Sequence, residues 1–255
     1  MRVDLNSDLG ESWGTYELGA DADMLSVVSS ANVACGFHAG DPTVMRQTVI
    51  RARDGGVGIG AHPGYLDLWG FGRRKIAGDS LADIEKQTAY QIGALMGLAA
   101  LEGAKVTHVK THGALGNLVA EDDGVAGAVA KAVKSVDPDL ILVVMPGMAT
   151  ERAAEAAGLR MAREVYADRA YQDNGNLVPR SQPGAVIHDA DEAAASVLRM
   201  LQEGAVITQS GKRIEGRIDT ICVHGDNPAA VGMARALRST LVASGVEIVP
   251  FHHFV

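Results

Sequence analysis

Carboxylates, amides, imidazoles and an ammonium recur in this chain two residues apart, each time at the end of a short apolar run. If VDLNSDL at 3–9 is extended, Val3 and Leu5 point one way and Asp4, Asn6 and Asp8 the other. VTHVKTH brings His108, Lys110 and His112 to one face, GIGAH ends in His62, and SANVACGFH carries Asn32 and His38 at one parity. The run near 160 carries Glu164 and Asp168, and CVHGDN carries His224 and Asp226. A carboxylate beside an imidazole moves protons near neutral pH, and an ammonium stabilises charge developing on oxygen, so the set suits opening an acyl or amide bond. Any one of these histidines is more simply a hydrogen-bonded core residue. Their convergence at one end of at least five strands is harder to read that way, because buried ionisable groups are costly unless paired or used.

The elements that would position these groups alternate as short apolar strands and helical stretches from end to end, which argues for a parallel sheet or barrel. Asp41-Pro42 is a helix start after the second strand, Gly55-Gly56 its stop, and Ser80 with Asp83 a capping-box start. Residues 113–135 read as one helical region, LILVVMPG at 140–147 as a buried strand, 160–171 as a strand entering a polar loop, and 205–218 as a hairpin turning at Ser210-Gly211. VEIVPFH closes the chain with no helix expected after it. An open doubly wound sheet has strands apolar on both faces. Here the second face is polar toward the C-terminal strand ends, as in a β/α barrel whose mouth holds the chemistry. The expected fold is α/β, a β/α barrel of seven or eight strands forming one domain over 1–255. Asp4, deeper in that barrel, needs a buried partner, for which His108 or Lys110 is available. The glycines of GGVGIG lack the Lys-Ser/Thr of a phosphate loop and read as room for a ligand.

Composition narrows the class. Hydrophobic residues make up 47%, with 30 glycines and 8 prolines, which fits a folded core. The 23 basic and 31 acidic residues form no basic track, so no nucleic acid is expected. Cys35 and Cys222 read as two buried thiols rather than a disulfide. Asp4 and Asp8 stand where a signal peptide would be apolar, and no apolar run approaches ~20 residues. A cytoplasmic protein with no membrane association is the expectation.

Seven blocks of the chain closely resemble the LamB/YcsF family: DLNSDLGE at 4–11, ANVACGFHAGDP at 31–42, GAHPGYLDLWGFGRR at 60–74, VKTHGALGN at 109–117, EVYADRAY at 164–171, LVPRSQPGAVI at 177–187 and CVHGDNP at 222–228. Ser7 stands where family members often have Cys. The resemblance implies a seven-stranded, TIM-like β/α barrel of the kind shared with polysaccharide deacetylases. It also implies ATP-dependent hydrolysis of 5-oxo-L-proline to L-glutamate, with this chain as the A component beside subunits B and C of a 5-oxoprolinase. A lactam phosphorylated on its oxygen needs a base for water, a stabiliser for anionic oxygen and an acid for the ring nitrogen. Asp8 or His62 is the candidate base, Lys110 the stabiliser, and His112 or Asp226 the proton shuttle. Asn6, Glu11, Asn32, His38, Asp168, Arg169, Arg180 and His224 are candidates to hold substrate, with Arg169 and Arg180 clamping its carboxylate or else merely pairing with Asp168 or Asp173. ATP is the co-substrate, yet the chain has no G-x-x-x-x-G-K-[ST], so its handling is assigned to the partners. A tightly bound metal is not expected, because Lys110 stands among the available ligands. Two alternatives remain: a metal-dependent hydrolase of an acyl-sugar or amide using Asp8, His62 and His112, and a non-catalytic subunit that binds a small acid.

Overall fold

In the computed structural model, which describes residues 1–224 and 228–255, the strands close on themselves. The chain runs β1 (Arg2–Leu9), α1 (Asp21–Leu25), β2 (Ser30–Ala34), α2 (Pro42–Asp54), β3 (Gly58–His62), α3 (Leu81–Leu101), β4 (Val106–Val109), α4 (Gly113–Glu121) and α5 (Asp123–Val136). It continues with β5 (Ile141–Val144), α6 (Ala149–Ala157), β6 (Arg160–Tyr166), α7 (Ala190–Glu203), β7 (Ala205–Ile207), β8 (Arg213–Glu215), β9 (Thr220–Cys222), α8 (Pro228–Ala243) and β10 (Glu247–Ile248). β1 to β6 are neighbours in chain order, β9 follows β6, and β9 pairs back onto β1 with Asp4 opposite Thr220 and Asn6 opposite Cys222. The result is the expected barrel of seven parallel strands. β7 and β8 form a separate antiparallel hairpin, and β10 adds to the start of β1.

Local chemistry accounts for the element starts. The Asp41 carboxylate accepts from the N–H groups of Thr43 and Val44 ahead of α2, and Ser80 and Asp83 cap α3 reciprocally. The stretch read as one helix over 113–135 is two. Asp122 ends α4, and its carboxylate accepts from Gly124 and Val125 to begin α5, so an N-cap residue inside a helical pattern divides it.

Strand alternation sends Val3, Leu5, Val33, Ile59, Val109, Leu142, Val144, Val165 and Ile221 outward into the main core, where they pack under the helix ring. Inside the barrel, the end away from the mouth is plugged by Phe251, which lies in a single 3-10 turn, Phe251–His253, where no helix was expected. Its ring packs with Ile141, Val143 and Ala162 and meets the His108 imidazole edge to face at 4.7 Å. Asp4 is fully buried nearby, but neither His108 nor Lys110 is its partner. Ser29 and Ser30 donate to its Oδ1 at 2.6 and 2.7 Å, and Thr220 donates to its Oδ2. Hydroxyls from two neighbouring strands reach it first. One layer higher, Asn32 Oδ1 accepts from His108 Nε2, and Asn32 Nδ2 donates to Asn6 Oδ1 at 2.8 Å and Asp8 Oδ1 at 2.9 Å. The glycines of β3 leave room for protein rather than ligand. A Cβ on Gly60 would lie 2.1 Å from the His108 ring, and one on Gly58 would lie 3.1 Å from His252.

Two outcomes follow for stability. Gly60→Ala drives a methyl into a ring locked by Asn32, so a loss of at least about 3 kcal/mol is expected in urea unfolding. Gly97→Ala in α3, with nothing within 4 Å of its added Cβ, should instead gain roughly 0.5–1 kcal/mol. Equal effects at both sites would refute the packing account. Burial, opposed by the three hydroxyls, raises the Asp4 carboxyl from its ordinary 3.8 to about 6. Below 3.8 both folded and unfolded chains hold the proton. Between 3.8 and about 6 only the folded chain does, so Asp4's contribution to stability falls by about 1.4 kcal/mol per pH unit as pH rises, and the loss is complete above about 6. Unfolding free energies of the wild type and Asp4→Asn, compared from pH 4 to 7, should diverge with that slope, and a flat difference would contradict it.

Candidate active site

Lys110 lies just beyond β4, where its N–H still donates to the Ala61 carbonyl at 2.9 Å. Its side chain turns into the barrel and is 5% exposed. Nζ stands 2.8 Å from Glu164 Oε1 and 3.1 Å from Asp8 Oδ1, donates to Asn6 Oδ1 at 3.2 Å, and is 3.2 Å from Cys222 Sγ. The Tyr166 ring centroid lies 5.3 Å away, within cation–π reach. Burial works against the ammonium, but the neighbouring groups, Asp8 foremost, outweigh it and hold the pKa well above the usual lysine value. Burial likewise pushes the Cys222 thiol and the Tyr166 phenol well up, so both are neutral. Asn6 Nδ2 donates to Glu164 at 3.0 Å and to Thr220 at 2.7 Å, which fixes the lysine's second carboxylate.

Beside this group lie three imidazoles. His62 Nδ1 stands 2.7 Å from the Lys110 carbonyl, and His112 Nε2 stands 2.8 Å from the Phe71 carbonyl. A carbonyl only accepts, so both of these nitrogens carry hydrogen. The other two, His62 Nε2 and His112 Nδ1, face each other at 3.0 Å. Asp8 Oδ2 is 3.3 Å from His62 Nε2, and Glu11 Oε1 is 3.5 Å from His112 Nδ1. His38 lies flat on His112 with ring centroids 3.6 Å apart; its Nε2 is 3.2 Å from Glu11 and its buried Nδ1 has no partner. Burial lowers His112 to about 3 and His38 well below its ordinary value, so both are neutral. For His62, burial is outweighed by Asp8, and its pKa rises. Asp8 is shielded by burial too, but His62 and Lys110 pull it well down, whereas burial and the Asp8 charge raise Glu11. Phe71 is the one described non-glycine residue with positive φ, 54°, a strained backbone that aims its carbonyl at His112.

A cavity of about 790 Å³ opens above these groups. Asp8, Glu11, His62, Lys110, His112 and Glu164 line its floor, and Arg73, Lys75, Arg169, Arg180, Tyr166 and His224 its walls. Asn6, Asn32 and His38, expected to touch substrate, lie beneath the floor and are fully buried. Their work is to satisfy Glu164, Asp8 and Glu11. Arg169 donates to the Val178 carbonyl at 2.7 Å and the Ala185 carbonyl at 3.3 Å. It thereby ties down the polar loop and pairs with neither Asp168 nor Asp173, and its donors on these carbonyls are not free to clamp a carboxylate. Asp168 is engaged by His224 Nδ1 at 2.7 Å, behind the wall. Asp226 lies outside the described residues. Arg180 is exposed, and its Nη2 lies 3.4 Å from His224 Nε2. Arg73, Lys75 and Arg180 pair with no carboxylate among the described residues, and they give the mouth a basic rim. Sequence parity missed Arg73, Lys75 and Phe71, because they sit in a loop where no period of two applies. Tyr166 shares the parity of Glu164 and was legible by the same rule. No helix among the described residues is long and apolar enough to cross a membrane, and both cysteines are buried and free.

The model of the LamB/YcsF family matches residues 3–255. The chain is 57% identical over 251 residues to the A component of a 5-oxoprolinase from Rhodopseudomonas palustris strain BisB5, covering 98% of this chain and 99% of that one. Among solved structures, the lactam utilization protein of Thermus thermophilus superposes with a TM-score of 0.92 at 46% identity, covering 98% and 99% of the two chains. The catalytic domain of a peptidoglycan N-acetylglucosamine deacetylase from Eubacterium rectale gives a TM-score of 0.51 at 11% identity, over 98% and 87%, which is likeness of fold alone.

The site residues are not all neutral to the fold, contrary to what a cavity lining suggests for Lys110→Ala. Removing that ammonium leaves Asp8 and Glu164 buried without their shared cation. Lys110→Met is therefore expected to cost about 3–5 kcal/mol, and adding Glu164→Gln should recover part of the loss. Thermal and urea unfolding of the single and double variants check this; additive losses would refute it.

Proposed function

The chain belongs to the LamB/YcsF family, and we propose that it performs the ring-opening half of 5-oxoprolinase, hydrolysing a lactam that its partner subunits have activated with ATP. It is a lactam hydrolase component, the A component of that enzyme. The observation that carries the reading is the floor: a charged lysine bound by two carboxylates, set beside an imidazole pair at the base of an open cavity.

The reaction makes matching demands. An unactivated lactam is a stable amide. With its oxygen phosphorylated, the ring carbon accepts water, the C–N bond breaks as nitrogen takes a proton, and an open-chain acyl phosphate forms. A second water then releases phosphate and leaves glutamate. Asp8 and His62, 3.3 Å apart, accept the proton of the attacking water, and His62, whose affinity for a proton is raised by Asp8, returns one to the ring nitrogen. Lys110, kept charged, stabilises the oxygen that becomes anionic. The basic rim of Arg73, Lys75 and Arg180 suits the phosphate and carboxylate of an activated substrate. No phosphate-cradling glycine loop stands among the described residues that line the cavity, so ATP is assigned to subunits B and C, in the cytoplasm where ATP is supplied. An activated ring hydrolyses in bulk water, which favours transfer within a complex.

Two measurements test this reading. A coupled assay for ADP and glutamate should show no 5-oxoproline-dependent turnover with this chain alone and full turnover once both partners are added. Robust ADP release by the single chain would overturn the division of labour and direct the search for a nucleotide site to Arg73, Arg74 and Lys75. In the complex, Asp8→Asn and His62→Ala should each lower turnover at least ~10²-fold, the scale of a lost acid, base or charge stabiliser. Near-normal rates in both would remove the floor from the chemistry.

A further inference from the structure

We infer that Asp8, Glu11, His62 and His112 form a binding site for one divalent transition-metal ion, of which zinc is the best match. The starting point is a hydrogen-bond inconsistency. With Nδ1–H of His62 committed to the Lys110 carbonyl and Nε2–H of His112 to the Phe71 carbonyl, the nitrogens that face each other at 3.0 Å are both lone pairs. The groups flanking them are two carboxylate oxygens, Asp8 Oδ2 at 3.3 Å from His62 Nε2 and Glu11 Oε1 at 3.5 Å from His112 Nδ1. Four acceptors thus meet with no donor among them. A single proton on His62 serves either Asp8 or His112 and leaves the other contacts unsatisfied. A dication serves all four.

The spacing fits that occupant. Ligands about 2.0–2.2 Å from an ion lie about 2.8–3.6 Å from one another along the edges of an octahedron or tetrahedron. Three of the six ligand-to-ligand distances, 3.0, 3.3 and 3.5 Å, link the four groups in a chain and fall in this span. Two imidazoles with two carboxylates suit zinc and its neighbours in the first transition row. The remaining ring N–H of each histidine is held by a backbone carbonyl, the outer contact that orients a metal-binding imidazole. Glu11, His38, His62 and His112 each offer a ligand atom within 4.8 Å of the others. His38, however, is parallel to His112 within 2° at 3.6 Å, so the two rings cannot both direct in-plane lone pairs at one ion. His38 instead backs Glu11.

Charge removes the objection raised by Lys110. Its ammonium is bound to Glu164 and to Oδ1 of Asp8, which leaves Oδ2 for the ion. Three carboxylates (Asp8, Glu11, Glu164) against one ammonium give the floor a formal excess of two negative charges, and one dication cancels it. Asp8 and Glu11 are also the more open of the four ligands, with side chains 25% and 18% exposed, so the ion would face the cavity. Bound there, it would supply a Lewis acid at the floor and would take over the activation of water that the metal-free floor leaves to Asp8 and His62. The inference stands on geometry and does not depend on the identity of the lactam.

The test uses the full chain, stripped with a chelator and titrated separately with zinc and with cobalt(II). One ion per chain by elemental analysis, a zinc Kd below micromolar by calorimetry, and a cobalt visible band of low-symmetry coordination are expected. Asp8→Asn, Glu11→Gln and His112→Ala, each confirmed folded by circular dichroism, should weaken binding at least ~10-fold and alter the band. His252→Ala/His253→Ala, which removes the paired histidines at the C-terminus, should leave both unchanged. Binding weaker than about 100 μM, or binding that only the His252/His253 variant abolishes, would overturn the site. These readouts need no turnover. A chain that fails to bind either ion yet is active in the complex would therefore count against the site alone, and a metal-binding chain inactive in the complex against the proposed reaction alone.

Discussion

An ammonium group sealed inside a parallel barrel is the constraint on which the rest of this structure depends. Lys110 needs negative partners within reach and receives them from different strands, Asp8 from β1 and Glu164 from β6. Those carboxylates need donors in turn, which Asn6 and Asn32 supply from β1 and β2. The strands that meet at Nζ include β9, which closes the barrel onto β1 and brings Cys222 and Thr220 into the same network. Closure and charge neutralisation are therefore one event: the register that pairs Asn6 with Cys222 is also the register that completes the lysine's shell.

The interior is not uniformly polar, and this asymmetry shapes the cavity. β5 contributes only Ile141 and Val143, which join Ala162 and the plug residue Phe251 in a small apolar cluster separate from the main core. Ionisable groups crowd instead on β1, β3, β4 and β6. The plug keeps water from the end opposite the mouth, and Gly60 admits the His108 ring that packs against it. A dry lower half raises the electrostatic stakes in the upper half, since pairs screened less by water hold their charges more firmly.

Much of this was legible in the sequence because the strands of a parallel barrel keep a period of two, broken here only where the β3–β4 register shifts at Ile59/Gly60 among the described residues. The barrel class, the outward set of Val3, Leu5, Val109 and Ile221, and the inward set of Asp8, His62, Lys110 and Glu164 all follow from parity. Parity fails where depth matters. It cannot separate Asn6 and Asn32, which lie under the floor, from Asp8, which lies on it, because depth depends on the stagger between strands. It is silent in loops, where Phe71, Arg73 and Lys75 take their positions from backbone turns at Gly70 and Gly72. It also misassigned Asp4, because serine and threonine hydroxyls carry no hydropathy signal that marks them as partners for a carboxylate.

Depth separates scaffold from chemistry by another criterion, the completeness of hydrogen bonding. At the lower levels every named acceptor finds a donor: Asp4 takes three hydroxyls, His108 is fixed by Asn32 and Thr107, and Asn6 is shared by Lys110 and Asn32. Such residues are costly to change and chemically inert. At the floor the account does not close. Lone pairs of His62 and His112 oppose each other, two carboxylate oxygens flank them, and a strained Phe71 holds one ring in the orientation that creates the conflict. A fold that pairs Asp4, Asn6, Asn32 and His108 below this level, and spends backbone strain to leave lone pairs opposed at it, reserves that level for an electropositive species from outside the chain. Whether a proton passing through or an ion that stays, the occupant sits beside Lys110, where it faces the same cavity.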